Sequence, residues 1–230
     1  MLQNILQSLN SVLFPSLCIH CGYKLKCAEI DICLHCKLQM PYVQHSPMNL
    51  EGRLYQILNQ RIKLESAMAL CYFQEGSITQ SILHSIKYKG NKPLARRMGR
   101  EMAHLAKQNN RGLPDVLVPI PLHPKKKKIR GFNQSEEICI GMKEVLSIPV
   151  EPNLLMRKVH KESQTHLGRM LRWQNISAAY TNGNKIPAFQ HVGIVDDMIT
   201  TGSTIEACYL SLKAQNPNLK ISVYSLGFEA

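Results

Sequence analysis

Four cysteines near the start of the chain have the type and spacing of a metal site. Cys18 and Cys21 form one Cys-x-x-Cys pair and Cys33 and Cys36 a second, with eleven residues between the pairs. Each pair is short enough to put two thiolates on one ion, and four thiolates suit tetrahedral zinc. Gly22, just after the first pair, permits a turn that aims backbone N–H groups at the sulfurs. A closed four-thiolate site leaves no open coordination position, so the expected metal is structural or serves docking. Cys27, His20 and His35 lie in or beside the cluster, and any of them could substitute for one of the four. Cys71, Cys139 and Cys208 stand alone in apolar surroundings, where a free cysteine usually acts as a small buried hydrophobe. Thiols stay reduced in a cytosolic chain, which favours metal over disulfides for this spacing.

A second constellation lies near the other end. An apolar run ending at Val195 leads into Asp196 and Asp197, and after Met198 and Ile199 come Thr200, Thr201, Gly202, Ser203 and Thr204 at the opening of a helix. Gly202 lets the backbone come close to a ligand, the hydroxyls donate hydrogen bonds, and a helix N-terminus offers N–H groups to an anion. The two carboxylates suit sugar hydroxyls or a divalent cation, not phosphate itself. Acids for sugar hydroxyls beside donors for a phosphate describe a site for a ribose 5-phosphate.

The third feature is charge. The 230 residues carry 28 Lys and Arg against 16 Asp and Glu, a formal net charge of +12. Residues 87–130 hold thirteen of the cations and only Glu101 and Asp115, eleven of the twelve net positive charges. A field of this sign attracts phosphate, on a small ligand or on a nucleic-acid backbone, although a charge run can equally be a solvated face. Lys125, Lys126, Lys127, Lys128 and Arg130 exceed what one diphosphate can engage. With Lys87, Lys89, Arg96 and Arg97 they are candidates for a DNA-binding groove. Tyr88, Phe132 and Trp173, interleaved with the cations, are candidates to stack unpaired bases.

The elements that must position these residues follow from pattern. Residues 2–13 place apolar side chains at helical spacing and lack the cations of a secretory signal or of a lipid-binding face, which predicts a helix docked on the body or a partner. No run is long enough to span a bilayer, so a cytoplasmic location is expected. The polar stretch 41–49, with Pro41 and Pro47, reads as a linker between a metal module (residues 1–45) and a larger domain (residues 50–230). Beyond it, helical patterns over 54–62, 78–86, 92–107, 133–146 and 203–215 alternate with strand patterns over 67–73, 116–120, 191–195 and 221–226. Asn133, with Glu136 three residues on, resembles a capping box. Alternation of this kind predicts an α/β fold, a mainly parallel sheet covered by helices on both faces.

The segment from Val192 to Thr204 resembles the phosphoribosyl diphosphate (PRPP) motif of the type I phosphoribosyltransferases. That resemblance implies that Asp196 and Asp197 hold the ribose hydroxyls, that Thr200, Thr201, Gly202, Ser203 and Thr204 wrap the 5-phosphate, and that magnesium accompanies PRPP. Further segments, in order, resemble the ComF competence family, which joins a zinc module to a phosphoribosyltransferase-like domain. They are Ile86-Lys87-Tyr88-Lys89-Gly90, Val118-Pro119-Ile120-Pro121-Leu122-His123 and Arg130-Gly131-Phe132-Asn133-Gln134, followed by Gln164, Leu167, Arg172, Asn175, Ala179 and Tyr180. Lys161 stands where the family usually has Thr, and Tyr180 where Phe is common. By the same resemblance residues 121–131 form the diphosphate loop and residues 157–171 a mobile lid, with Lys87, Lys89, Arg130, Lys158 and Lys161 as candidates for the diphosphate and His160 and Arg169 beside them.

The family resemblance implies a DNA-uptake factor that works in natural transformation, binds PRPP and handles incoming single-stranded DNA. Its implied partners include other DNA-uptake proteins at the inner face of the membrane, where the chain would lie peripherally. The alternative is a genuine phosphoribosyltransferase that uses PRPP and magnesium. The acceptor-reading residues such an enzyme needs are not identifiable in the sequence, and whether the chain is an enzyme stays open.

Overall fold

A computed structural model describes residues 15–43, 52–108, 112–157, 180–182 and 189–229. Within them α1 (Leu34–Leu38) belongs to the cysteine module, and α2 (Arg53–Asn59) leads into β1 (Ser66–Phe73), α3 (Ile78–Tyr88) and α4 (Lys92–Gln108). Then come β2 (Val116–Pro119), α5 (Pro124–Arg130), α6 (Gln134–Leu146), β3 (Leu155–Arg157) and β4 (Tyr180–Asn182). The chain finishes with β5 (His191–Ile199), α7 (Ser203–Gln215) and β6 (Lys220–Glu229).

The main sheet has the order β1-β6-β5-β2, and every pairing in it is parallel. Strands buried on both faces must be apolar throughout, and β2 and most of β5 and β6 are buried along their length. One core packs α3, α4 and α6 on one face through Ile82, Ile86, Met98, Met102, Ile138 and Met142. The other packs α2 and α7 through Leu54, Leu58, Ile205, Cys208 and Leu212. This is the mainly parallel, helix-flanked α/β fold expected. A small antiparallel pair, β3 with β4, stands apart from the sheet. Helices α4 and α6 cross backbone to backbone because Gly99 and Gly141 sit at the contact. A Cβ on Gly99 would strike the Ile138 carbonyl, and one on Gly141 the Arg96 carbonyl.

The cysteine module is no separate bead. Cys18, Cys33, Cys36 and Met40 join the same core as α3 and α4. Pro41 and Val43, read from sequence as the start of a linker, pair with the edge of β1: Val43 N–H donates to the Leu70 carbonyl (3.0 Å) and Tyr72 N–H to the Pro41 carbonyl (2.8 Å). An edge strand offers unpaired backbone groups, and these residues cover part of that edge. The remainder of the linker and the helix expected over residues 2–13 lie outside the described residues. Among the described residues no helix is long and apolar enough to cross a membrane.

Candidate functional site

Two tight turns bring the four cysteine sulfurs together. Cys18 N–H donates to the Tyr23 carbonyl (2.8 Å) and Gly22 N–H to the Cys18 carbonyl (3.0 Å), with Gly22 at φ 72°. On the other arm Cys33 caps α1, its Sγ accepting the Cys36 N–H at 3.5 Å, while Cys33 N–H donates to Cys18 Sγ at 3.4 Å. The sulfurs of Cys18, Cys21, Cys33 and Cys36 all lie within 4.8 Å of one another, and those of Cys21 and Cys33 are 3.6 Å apart. A tetrahedron of zinc–sulfur bonds has edges of about 3.8 Å. Cys27, His20 and His35 do not join the group; the His20 ring turns to Ser81 Oγ at 3.0 Å. All eight cysteines are free of disulfides.

The electrostatics of the cluster favour a cation. Burial pushes the Cys18 thiol up, but the N–H groups of Cys33, Cys21 and His20 outweigh it and hold the thiol at about 6. Burial and the three neighbouring sulfurs push the Cys36 thiol well up. Four thiolates this close repel one another unless a positive ion lies among them, and thiolate is the form that binds metal. The donor set therefore fits a structural metal such as zinc.

The second site lies where the sheet changes direction. Strands β2 and β5 are neighbours, yet the chain leaves β2 toward α6 on one face and leaves β5 toward α7 on the other. The carboxyl ends of two such strands enclose a crevice, the place where open parallel sheets bind ligands. Asn133 fixes one wall: its side chain donates to the Ile120 carbonyl beyond β2 (3.0 Å) and its Oδ1 accepts the Ser135 N–H (3.2 Å), starting α6.

The other wall carries the two acids. Strand β5 runs through Asp196 and Asp197 to Ile199, four residues past the end read from sequence, because β6 continues alongside and supplies ladder partners. The two carboxylates, adjacent on the strand, meet different partners. Asp197 is buried and meets Lys87 of α3, with Nζ 3.1 Å from Oδ1. Asp196 Oδ1 accepts the Ser135 hydroxyl (3.2 Å) and the Asp197 N–H (2.9 Å). Burial, then the adjacent Asp197 charge, push Asp196 up to about 7, against the N–H donor, Lys87 and Ser135. Near neutral pH Asp196 is thus poised between an O–H donor and an ionised acceptor, and either form can pair with a sugar hydroxyl.

Beyond Ile199 the chain bends sharply. Gly202 has φ 76°, and a Cβ there would lie 2.5 Å from Leu58 Cδ2, so both conformation and packing call for glycine. Thr200 and Thr201 are exposed, Ser203 and Thr204 half-buried. The Thr201 and Ser203 hydroxyls are 3.0 Å apart, and Thr204 hydrogen-bonds Tyr180. Gly202 caps α7 without a side chain, so the first-turn N–H groups open onto a bend rich in hydroxyls.

Of the remaining sequence candidates, Lys87 reaches the acids, while Lys89 is exposed at the end of α3. Arg130 donates to Gln134 Oε1 (3.0 Å) and lies 5.6 Å from the Tyr88 ring centre. Lys158 and Lys161, with His160, Arg169, Trp173 and most of the 157–171 lid, fall outside the described residues. Residues 124–130, expected as part of a diphosphate loop, are the helix α5. Pro124 suits its first turn, His123 caps it by accepting the Lys125 N–H (3.2 Å), and Gly131 ends it at φ 76°. Lys125, Lys126, Lys127 and Lys128 are all exposed on it, beside Ile129 at 84% exposure. Arg96 and Arg97, on α4, each hold an acid of the chain: Arg96 pairs with Glu137 (2.7 Å) and Arg97 with Asp31. Of the aromatics, Phe132 is buried at 6% exposure, whereas Tyr88 is 68% exposed, its ring 4.9 Å from that of His84.

Sequence reasoning passed over Ser135, which touches Asp196, and Arg61, whose Nη1 donates to the Thr201 carbonyl at 2.9 Å. Ser135 lies directly behind the Arg130-Gly131-Phe132-Asn133-Gln134 segment, a signal that could have flagged it. Arg61 follows α2 with no spacing to mark it.

No family model matches the chain. Over 199 residues it is 27% identical to Competence protein F of Haemophilus influenzae, covering 82% of this chain and 86% of that protein. Over 128 residues it is 29% identical to the DNA utilization protein YhgH of Escherichia coli, covering 54% of this chain and 56% of that protein. YhgH of Salmonella typhimurium matches with the same identity and coverage.

Proposed function

We propose, from relatives that support a ComF-family competence protein with a part in DNA utilization, that this chain binds PRPP with magnesium in the β2–β5 crevice and single-stranded DNA on the basic face of α5. The observation that carries the first half is the meeting, at one switch point, of two carboxylates and a hydroxyl-rich bend that opens a helix. Asp196 and Asp197 take the ribose hydroxyls, and residues 200–204 take the 5-phosphate, an anion suited to a helix N-terminus. Lys87, already beside Asp197, supplies a cation for the diphosphate. The four cysteines hold zinc as a structural ion. The exposed lysines of α5 supply phosphate contacts for DNA, whose binding is dominated by such contacts. The chain works in the cytoplasm, peripherally at the inner face of the membrane with other DNA-uptake proteins.

Calorimetric titration with magnesium and PRPP tests the reading. The wild type is expected to bind, and the double change Asp196→Ala, Asp197→Ala to lose about 100-fold or more in affinity, as two charged hydrogen-bond acceptors are removed. Retained affinity in a folded double variant overturns the assignment. Release of diphosphate when nucleobases or amines are added would favour the enzyme over the binding protein.

A further inference from the structure

Asp31 occupies an unusual position. It is one of two described residues other than glycine with positive φ, at 61°, between Ile30 and Ile32, which bridge around it. Side chains with a Cβ seldom adopt this conformation, so the surroundings must hold it. Its carbonyl accepts the N–H of Ile19, the neighbour of Cys18 (2.8 Å), and two residues on lies Cys33. Asp31 thus joins the two cysteine arms through its backbone.

Its side chain leaves the module altogether. Oδ1 accepts the Asn91 side-chain N–H at 2.8 Å, and the other oxygen pairs with Arg97. Asn91 forms the elbow between α3 and α4: its N–H donates to the Ser85 carbonyl (3.3 Å), its amide also reaches Ser85 Oγ (3.4 Å), and its Oδ1 accepts the Leu94 N–H (3.0 Å) to start α4. Lys89 N–H donates to the same Ser85 carbonyl (3.1 Å). Lys87, which meets Asp197 in the crevice, lies inside this turn, two residues from Ser85 and four from Asn91.

We infer that Asp31 is a positioning residue: through Asn91 and Arg97 it makes the cysteine module the clamp that holds the last turn of α3, and with it the reach of Lys87 to Asp197. The coupling runs through one continuous set of contacts, from the sulfur cluster to the elbow to the acids. Its effect on ligand binding rests on the PRPP reading; its effect on the elbow does not.

Asp31→Gly is the sharpest test, because glycine eases the positive φ while deleting the carboxylate. The full chain is compared with the wild type in four readouts: bound metal, melting temperature, hydrogen exchange of the amides of residues 87–92, and affinity for PRPP. The expected result is retained metal and a folded chain whose melt falls by a few degrees as Arg97 loses its partner, with elbow amides exchanging about tenfold faster and PRPP bound about five- to twentyfold more weakly. Should Asp31→Gly lose its metal, Asn91→Ala cuts the same link from the body side and is expected to give the same local exchange. Unchanged exchange at the elbow in a folded variant overturns the inference. Faster exchange in a protein whose wild type never binds PRPP upholds the clamp and overturns the function proposed for the crevice.

Discussion

The cations of α4 and those of α5 come from one basic stretch of sequence, yet the fold sets them in different surroundings. On α4, Arg96 and Lys92 share Glu137, Arg97 holds Asp31, and Arg100 holds Glu144 at 2.6 Å. These pairs stitch α4 to α6 and to the cysteine module. On α5 the side chains of residues 125–128 are exposed, and among the described residues no acid pairs with Lys126, Lys127 or Lys128. The comparison teaches that cations counted in one run can be held by the chain's own acids in one element and left exposed in the next. Charge counted along the chain overstates the field that a ligand meets.

Four perturbations break or sharpen this contrast. Reversing Lys125, Lys126, Lys127 and Lys128 to Glu should weaken single-stranded DNA binding by about 1,000-fold at physiological salt, by fluorescence anisotropy, while leaving the melt unchanged. Unaltered binding would move the DNA surface elsewhere. Arg97→Ala should do the reverse. It should cost about 2–4 kcal/mol in denaturant unfolding, because it strands a largely buried Asp31, with DNA affinity changed less than about twofold.

The third perturbation concerns pH. The native pKa of Asp196, about 7, lies above its unfolded value of about 3.9. A raised carboxyl favours the native state when protonated, so this contribution is full below about pH 4 and is lost as the pH rises through about 7. Asp196→Asn should flatten that part of the stability profile and leave the variant more stable than wild type at pH 8, on the order of 1–2 kcal/mol. The smallest effect belongs to Tyr88. Replacing it with Ala should weaken single-strand binding about five- to tenfold, by loss of one stacking surface, while Phe should keep the affinity.

Much of the fold was legible because its signals are local. An apolar β5 leading into two acids, and Gly202 before the helical pattern of α7, stand in consecutive residues. The Cys-x-x-Cys pairs likewise declare a cluster whose four sulfurs do converge. Helix α5 was hidden because four lysines in a row show no apolar face, and its true signals were the ends: His123 and Pro124 at the start, Gly131 at the close. That Asp196 meets Ser135 and Asp197 meets Lys87 depends on β5 continuing to Ile199, which in turn depends on the length of β6, a distant neighbour. The pairing of Arg97 with Asp31, 66 positions away, is a product of docking, with no trace in the residues around either partner.

The central claim is that the β2–β5 crevice grips a phosphoribosyl group. A crystal structure of the protein with PRPP and magnesium tests it most directly. The account predicts the ribose hydroxyls within hydrogen-bond reach of Asp196 and Asp197 and the 5-phosphate seated on residues 200–204. PRPP bound elsewhere, with Asp197 still closed by Lys87 and Asp196 by Ser135, would contradict it.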